Sequence, residues 1–246
     1  MWTNFISTCF KKAVVIKTIF HSVSHILFPH LCNGCGSDLI SGEHLLCIRC
    51  ATQLYETGFA EAADNPVEKV MWGRLRCESG MSQYYFSKGS LFQQLVHQVK
   101  YKSNKELGIY LGKLMGSALA ASSRFQCVEA LVPLPLFPDK ERKRGYNQSA
   151  IICEGIASVM QLPVLHNLVK RIRYTDTQTH KTRMERWQNV EGVFAARPDT
   201  AVTGKHLLLV DDVMTTGATI EACGNAMLED LPGIRLSVAT LGYANA

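Results

Sequence analysis

The chain has 246 residues, and its 26 Lys and Arg against 21 Asp and Glu give a formal net charge of +5 at pH 7. Apolar residues make up 47% and charged residues 19% of the chain, a balance that excludes wholesale disorder. The modest positive charge favours an anionic ligand such as a phosphate, and it permits nucleic acid without requiring it. The length suffices for one sizeable core and a small additional module.

The N-terminal segment, residues 1–28, is apolar enough to raise the question of a membrane helix. Lys11, Lys12 and Lys17 interrupt it, so no run of roughly 18 uncharged apolar residues remains to span a bilayer. Lys17 also interrupts the apolar region that a cleaved signal peptide needs. We expect an amphipathic helix that packs on the body of the protein, and association with a membrane surface is the alternative.

Four of the nine cysteines form two Cys-x-x-Cys pairs near the N-terminus, namely Cys32, Cys35, Cys47 and Cys50. Each pair can direct two thiolates to one ion, and four thiolates in a tetrahedron are typical of a structural zinc site. Disulfides or a redox pair are the alternatives. With four protein ligands the site is predicted to be closed to substrate and to stabilise a segment that has little core of its own.

Most of the remaining cysteines lie in apolar stretches and are predicted to be small buried residues: Cys9, Cys127, Cys153 and Cys223. Buried free thiols suit a reducing compartment, so we expect the protein to be cytoplasmic.

A strand predicted at residues 82–87 precedes a helix with an apolar face of Leu91, Leu95, Val96 and Val99. This spacing is typical of an amphipathic helix. His97 and Lys100 lie on or near its polar face, where they are expected to be solvated.

Strands and helices alternate from residue 126 onwards, after a second helix within residues 104–123. The later elements are the strand "KHLLLV", the helix "ATIEACGNAMLED" and the strand "RLSVATLGYA". Alternation of this kind predicts a parallel sheet flanked by helices, and a continuously apolar strand such as "LLLV" predicts a sheet covered on both faces.

The apolar strand is predicted to end at Asp211 and Asp212, and parallel sheets bind ligands at the carboxyl ends of their strands. The loop that follows offers hydroxyl groups, a flexible glycine and the N–H groups of a helix N-terminus; its residues are Thr215, Thr216, Gly217, Ala218 and Thr219. The loop favours a phosphate, whereas the carboxylates favour hydroxyl groups. A 5-phosphorylated ribose carries both groups. The alternative is a plain strand–loop–helix in which Asp212 caps the helix, and a Walker-type loop lacks its Gly-Lys-Ser/Thr run.

The stretch "LLLVDDVMTTGAT" resembles the phosphoribosyl pyrophosphate (PRPP) motif of type I phosphoribosyltransferases. Together with the paired cysteines, "HQVKYKSNKELGIYLG", "LVPLPLFPDKERKRGYNQS" and "TQTHKTRMERWQNVEGVF", it makes residues 27–243 similar to the ComF family, which is named for competence and DNA uptake. The resemblance implies an α/β fold: a type I phosphoribosyltransferase-like parallel sheet flanked by helices, with a small N-terminal four-cysteine zinc-ribbon module.

The resemblance also implies roles for particular residues. Asp211 and Asp212 would hold the ribose in catalysis, and the loop after them would bind its phosphate. A basic stretch would form the pyrophosphate loop, with Lys140, Arg142, Lys143 and Arg144 as candidates, although a solvated basic loop is the alternative. Residues 173–190 would form a flexible loop that closes over the substrate, with Gln178, Arg183 and Arg186 as candidates.

Four regions follow from this comparison. They are an N-terminal helical segment (1–28), a zinc-binding module (29–55), a helical and linker region packing on the core (56–125) and a phosphoribosyltransferase-like domain (126–246).

The expected function is Mg²⁺-dependent binding or transfer of the phosphoribosyl group of PRPP, to an acceptor that the sequence does not identify. One alternative is a non-catalytic DNA-uptake factor that binds single-stranded DNA, uses PRPP or a nucleotide as effector and works with the DNA-uptake helicase machinery. A purely structural adaptor is a further alternative, but it needs neither the carboxylate pair nor the phosphate loop.

Overall fold

The computed structural model describes residues 30–38, 44–172 and 192–244. The chain divides into two compact units, residues 1–53 and residues 54–246. The described part of the first unit contains the short helix α1 (Ile48–Ala51) and an isolated antiparallel bridge between Leu31 and Asp38. Among the described residues, no helix has the length and hydropathy that a membrane crossing requires. The predicted N-terminal helix lies outside these residues and stays a prediction.

A four-stranded parallel sheet forms the centre of the second unit, in the order β1 (Gly80–Phe86), β6 (Arg235–Ala244), β5 (His206–Met214) and β2 (Ala130–Pro133). Four successive residues of β5 are 0% exposed, namely Leu207, Leu208, Leu209 and Val210. A strand without an exposed face must be covered on both sides. The predicted fold class, a parallel sheet flanked by helices with an N-terminal four-cysteine cluster, is confirmed.

Six helices of the second unit surround this sheet in the described residues. They are α2 (Pro66–Met71), α3 (Leu91–Tyr101), α4 (Lys105–Ala121), α5 (Pro138–Arg144), α6 (Gln148–Met160) and α7 (Ala218–Asp230). Helix α6 packs on β2 and β5, and α7 packs on β5 and β6. Short 3₁₀ turns occupy Ser123–Phe125 and Thr200–Val202.

Glycines allow α4 and α6 to pack with their backbones almost in contact. A Cβ atom at Gly112 would lie 2.3 Å from the carbonyl oxygen of Ile152, and one at Gly155 would lie 2.3 Å from that of Ile109. Real Cβ atoms do not approach backbone so closely, so both positions require glycine. This packing fixes α4 against α6, the helix that carries Ser149.

The strands β3 (Val169–Arg171) and β4 (Phe194–Ala196) form a separate two-stranded antiparallel sheet. The N–H group of Ala196 donates to Oδ2 of Asp230 at 2.8 Å, which ties β4 to the end of α7. The predicted flexible loop, with Gln178, Arg183 and Arg186, falls between these strands and lies outside the described residues.

Strand β5 is longer than predicted, because Asp211 and Asp212 belong to it instead of following it. Its ladder with β6 continues past the acids, with Asp211 beside Thr240 and Met214 beside Tyr243. The prediction that the strand ends at Val210 is therefore wrong. Pairing with a long neighbouring strand outweighs the low preference of aspartate for strands.

The basic stretch predicted to be a loop is the helix α5, which is a second correction. Pro138 begins the helix, and Gly145 ends it in the left-handed conformation at φ 83°. Acidic residues lie in its first turn and basic residues in its last turn, as the helix dipole favours.

The predicted region 56–125 contributes β1 to the central sheet and lies within the second unit. Of the cysteines predicted to be buried, Cys153 and Cys223 are confirmed, whereas Cys127 is exposed and that prediction is wrong. Cys127 lies on the connection between the 3₁₀ turn at Ser123–Phe125 and β2. Cys9 lies outside the described residues.

Candidate functional site

The four predicted metal ligands converge in the first unit. The sulfur atoms of Cys32, Cys35, Cys47 and Cys50 all lie within 4.8 Å of one another. Sγ of Cys35 lies 3.7 Å from Sγ of Cys47. A tetrahedral ion at about 2.3 Å from each sulfur requires sulfur–sulfur distances of about 3.8 Å. The cluster is therefore compatible with a structural zinc ion.

Backbone N–H groups around the cluster favour thiolates. Those of Gly34 and Cys47 donate to Sγ of Cys32 at 3.4 and 3.2 Å. Burial raises the pKa of Cys32, but hydrogen bonds from the backbone outweigh it and the net pKa is lowered. Hydrogen bonds from Ser37 lower the pKa of Cys35 to about 6. Burial and the neighbouring thiols raise the pKa of Cys50, so four thiolates need a cation among them.

The carboxyl end of β5 carries the other candidate site. Asp211 is half-buried, and its Oδ1 atom accepts hydrogen bonds from Oγ of Ser149 at 3.0 Å and from the N–H group of Asp212 at 2.8 Å. Burial and the charge of Asp212 raise the pKa of Asp211 to about 7, against the opposing effects of these donors and of Lys100. The two carboxyl groups therefore lie close enough to share one electrostatic environment.

Asp212 is 6% exposed, and its carboxylate meets a lysine. Oδ1 accepts from the N–H group of Val213 at 2.6 Å, and Oδ2 lies 2.7 Å from Nζ of Lys100. The second contact is a salt bridge, so Oδ2 is paired with the ammonium group, its one partner among the described residues. A ligand hydroxyl group that donates to Oδ2 has to compete with this ammonium group.

Lys100 was predicted to be solvated, and that prediction is wrong. It lies in the last turn of α3, directly after buried Val99, and its long aliphatic stem reaches the end of β5. The same prediction for His97 is confirmed, since His97 is exposed and stacks on the ring of Tyr101 at 4.7 Å.

The predicted phosphate loop connects β5 to α7. Thr215, Thr216 and Thr219 are exposed, Ala218 is half-buried, and Gly217 adopts φ 73° as the N-cap residue of α7. Within the part of the chain that the structure describes, the N–H groups of Thr215, Thr216 and Gly217 have no hydrogen-bond acceptor. Free N–H groups at the positive end of a 13-residue helix favour an anion.

The basic residues of α5 have different surroundings. Arg142 and Lys143 are exposed, and Arg142 pairs with Asp139. Arg144 is half-buried, donates to Oε1 of Gln148 at 2.8 Å and lies over the ring of Tyr101 at 5.2 Å. Lys140 is half-buried at the middle of the helix. Through Gln148, Arg144 contacts α6, the helix that carries Ser149.

Sequence reasoning did not single out Ser149 or Lys100 as site residues. Ser149 follows the Arg-Gly-x-Asn-Gln run, so its place at the start of a helix after the basic stretch was a usable signal. Lys100 lies in the stretch "HQVKYKSNKELGIYLG" that carries part of the resemblance, but its contact with Asp212 joins residues 112 positions apart, so the stretch alone does not assign it to this site.

Replacing Asp211 by Asn tests the desolvation of its carboxyl group. Because the pKa of Asp211 rises from 3.8 to about 7 on folding, the unfolded chain releases this proton first as the pH increases. Between about pH 4 and pH 7, the wild type should lose unfolding free energy relative to Asp211→Asn by up to about 1.4 kcal/mol per pH unit, with no further change above. Urea unfolding across this range measures the difference.

Glu61 provides the matched control, because Glu61→Gln removes one carboxylate that is exposed. The wild type should not lose unfolding free energy relative to Glu61→Gln over the same pH range. If Asp211→Asn and the wild type gave parallel curves over the same range, the carboxyl group would not be desolvated as described.

No family model matches the chain. The chain is 27% identical over 201 residues to competence protein F of Haemophilus influenzae, covering 80% of this chain and 83% of that protein. It is 30% identical over 139 residues to the DNA utilization protein YhgH of Salmonella typhimurium, covering 55% of this chain and 60% of that protein. It is 32% identical over 111 residues to the competence protein ComFC of Bacillus subtilis, covering 45% of this chain and 43% of that protein.

Among solved structures, the chain is similar to a glutamine PRPP amidotransferase from B. subtilis, with a TM-score of 0.37 and 19% identity, over 58% of this chain and 30% of that one. It is also similar to adenine phosphoribosyltransferase from Leishmania tarentolae, with a TM-score of 0.38 and 12% identity, over 77% of this chain and 94% of that one. The chain thus has homologues named competence protein F, ComFC and DNA utilization protein YhgH, and its four-cysteine cluster agrees with the expected resemblance to the ComF family.

Proposed function

We propose that the chain binds PRPP, or a similar phosphoribosylated small molecule, at the carboxyl end of β5. The observation that carries the proposal is the pair of carboxyl groups at consecutive positions of this strand end, Asp211 and Asp212, followed by the free N–H groups of the loop. One ribose hydroxyl group donates to Oδ2 of Asp212 in place of Lys100, and the neighbouring hydroxyl group donates to Asp211. Hydrogen bonds to a carboxylate are stronger than those between neutral groups.

The loop after β5 receives the 5-phosphate in this proposal. Its free N–H groups at Thr215, Thr216 and Gly217 and its exposed threonine hydroxyl groups are donors without described acceptors. A phosphate accepts several of these bonds at once, and the helix dipole of α7 adds to them. Ligands with a phosphate but no ribose should therefore bind more weakly than ligands with both.

Lys100 opposes part of this gain. Its ammonium group lies 2.7 Å from Oδ2 of Asp212, so the ribose must displace it from that oxygen. The ammonium group then turns towards the phosphates of the ligand, which are the nearest anions. Binding thus exchanges one partly buried ion pair for another, and the hydroxyl groups decide the net affinity.

Mg²⁺ fits this site as an ion that arrives with the pyrophosphate of the substrate. Asp211 has a pKa of about 7, and Asp212 is paired with Lys100. Asp211 and Asp212 are the carboxylates at this strand end that would hold Mg²⁺, and most of its oxygen ligands would come from the substrate and from water. When bound, Mg²⁺ neutralises charge that develops on the leaving pyrophosphate. Arg144, with Lys140, Arg142 and Lys143 beside it, is the chain's own candidate for that charge.

Transfer to an acceptor would break the bond between C1 of the ribose and the pyrophosphate oxygen. The ribose gains oxocarbenium character, so a carboxylate that holds its hydroxyl groups also stabilises positive charge on the ring. No covalent nucleophile is needed. Closure of the loop at residues 173–190, with Gln178, Arg183 and Arg186, would exclude water from this cation.

Calorimetry with PRPP and Mg²⁺ tests the proposal. Removing both negative charges, Asp211→Asn with Asp212→Asn, should weaken PRPP binding at least about 100-fold, since each hydrogen bond to a charged group contributes about 1.5–3 kcal/mol. The far-UV circular dichroism should not change. Glu61→Gln with Glu229→Gln removes the same charge from two exposed positions and should leave the affinity as it is.

Equal affinity of the wild type and the double Asn variant would remove the assignment. Pyrophosphate release with a panel of bases, amines and oligonucleotides then separates the two forms of the proposal. Release that depends on an acceptor identifies a transferase, and tight binding without release identifies PRPP as an effector.

A second candidate function, binding of single-stranded DNA, has its own supporting observation. Tyr101 is 63% exposed and lies between His97 at 4.7 Å and Arg144 at 5.2 Å. Exposed aromatic rings with adjacent cations suit stacked bases and their phosphates. The relatives named for competence and DNA utilization favour this candidate. Contact with DNA-uptake helicase machinery and a cytoplasmic location stay predictions.

We also propose that the four cysteines hold one structural zinc ion. Reduced, freshly purified protein should contain about one zinc per chain. Cys35→Ser should abolish zinc binding and lower the protection of residues 30–53 in hydrogen exchange, because the short first unit depends on the metal. Cys127→Ser removes an exposed thiol outside the cluster and should change neither quantity. Metal-free wild-type protein with a protected first unit would contradict the proposal.

A further inference from the structure

Arg74 makes a group of contacts that converge on the loop after β5. Its Nε and Nη2 atoms lie 3.0 and 2.5 Å from Oε2 of Glu221. Its Nη1 atom donates to the carbonyl oxygens of Thr216, at 2.9 Å, and Val70, at 3.1 Å. The side chain of Asn225 donates to the carbonyl oxygen of Arg74 at 3.1 Å and so fixes its backbone to α7.

The carboxylate of Glu221 favours the helix α7 but disfavours a phosphate bound at the N-terminus of that helix. It lies in the first turn of α7, where a negative charge stabilises the helix. The same charge repels a phosphate at the N-terminus of that helix. The Arg74 and Glu221 side chains are 27% and 16% exposed, so solvent screens this charge only in part. The positive charge of the Arg74 guanidinium group offsets the negative charge of Glu221.

The contact with Thr216 has a separate effect on the loop. A carbonyl oxygen held by Arg74 cannot turn into the space where the loop N–H groups are free. Gly217 supports the same arrangement, because a Cβ atom there would lie 2.2 Å from Cε of Met71. Helix α2 and the residues after it therefore hold the loop from one side.

We propose that Arg74 is the positioning residue of the phosphate loop, which cancels the charge of Glu221 and fixes the Thr216 carbonyl so that the loop accepts a phosphate monoester. This inference rests on the proposed function. Arg74 lies outside the stretch "LLLVDDVMTTGAT" and holds the loop through contacts with Glu221 and Thr216. Arg74 does not touch the ligand.

A double-mutant cycle with ribose 5-phosphate at low ionic strength tests the inference. Arg74→Met keeps the bulk of the side chain but exposes the loop to the charge of Glu221, so it should weaken binding at least about tenfold. Glu221→Gln leaves Arg74 with an uncompensated charge and should tighten binding about threefold. The double variant should recover most of the affinity that Arg74→Met loses. Added salt should reduce the differences in affinity between these variants and the wild type.

Arg197→Met is the matched control, because Arg197 is exposed and lies 4.0 Å from Asp199, its nearest acid. It should bind ribose 5-phosphate as the wild type does. If Arg74→Met does not fold, the increase in affinity of Glu221→Gln decides, since a purely structural ion pair predicts weaker binding or no change.

Wild-type affinity in a folded Arg74→Met variant would overturn the inference and leave the proposed function standing. A double variant as weak as Arg74→Met would overturn the role of Glu221's charge. Absence of ribose 5-phosphate and PRPP binding in the wild type would instead overturn the proposed function, and the inference with it.

Discussion

Two carboxyl groups at consecutive positions of one buried strand are the constraint on which the candidate site depends. Asp211 and Asp212 repel each other, and the repulsion contributes to the raised pKa of Asp211. Each is offset by a different helix, Asp211 by Ser149 of α6 and Asp212 by Lys100 of α3. A sheet does not need such an arrangement for stability, since apolar residues at both positions would avoid the desolvation. We propose that a ligand with paired hydroxyl groups accounts for it.

Two neighbouring parts of this site favour different ligand groups. The carboxylates at the end of β5 favour hydrogen-bond donors of a ligand, whereas the free N–H groups three residues later favour an anion. Arg74 keeps the second preference from being cancelled by Glu221. A phosphorylated ribose matches the order of these preferences, whereas a nucleic acid backbone, with its regular phosphates, matches the exposed cations and Tyr101 better. The two candidate functions thus share Arg144 and otherwise use different residues of the second unit.

Local patterns were sufficient for much of the fold. The spacing of the cysteine pairs predicted the cluster, and alternating apolar strands and helices predicted the parallel sheet. The helix α5 was missed because its charges resemble those of a solvated loop, although Pro138 and Gly145 marked its ends. The length of β5 was missed because pairing with β6 overrides the low strand preference of aspartate. Lys100 could not be found from sequence, since only tertiary packing brings α3 to Asp212.

A crystal structure of the full chain with PRPP and Mg²⁺ tests the central claim most directly. The account predicts the ribose hydroxyl groups within hydrogen-bond distance of Asp211 and Asp212, with the 5-phosphate on the amides of residues 215–217. It also predicts that the ammonium group of Lys100 leaves Oδ2 of Asp212. PRPP bound at another surface, with the Lys100–Asp212 contact still at 2.7 Å, would contradict it.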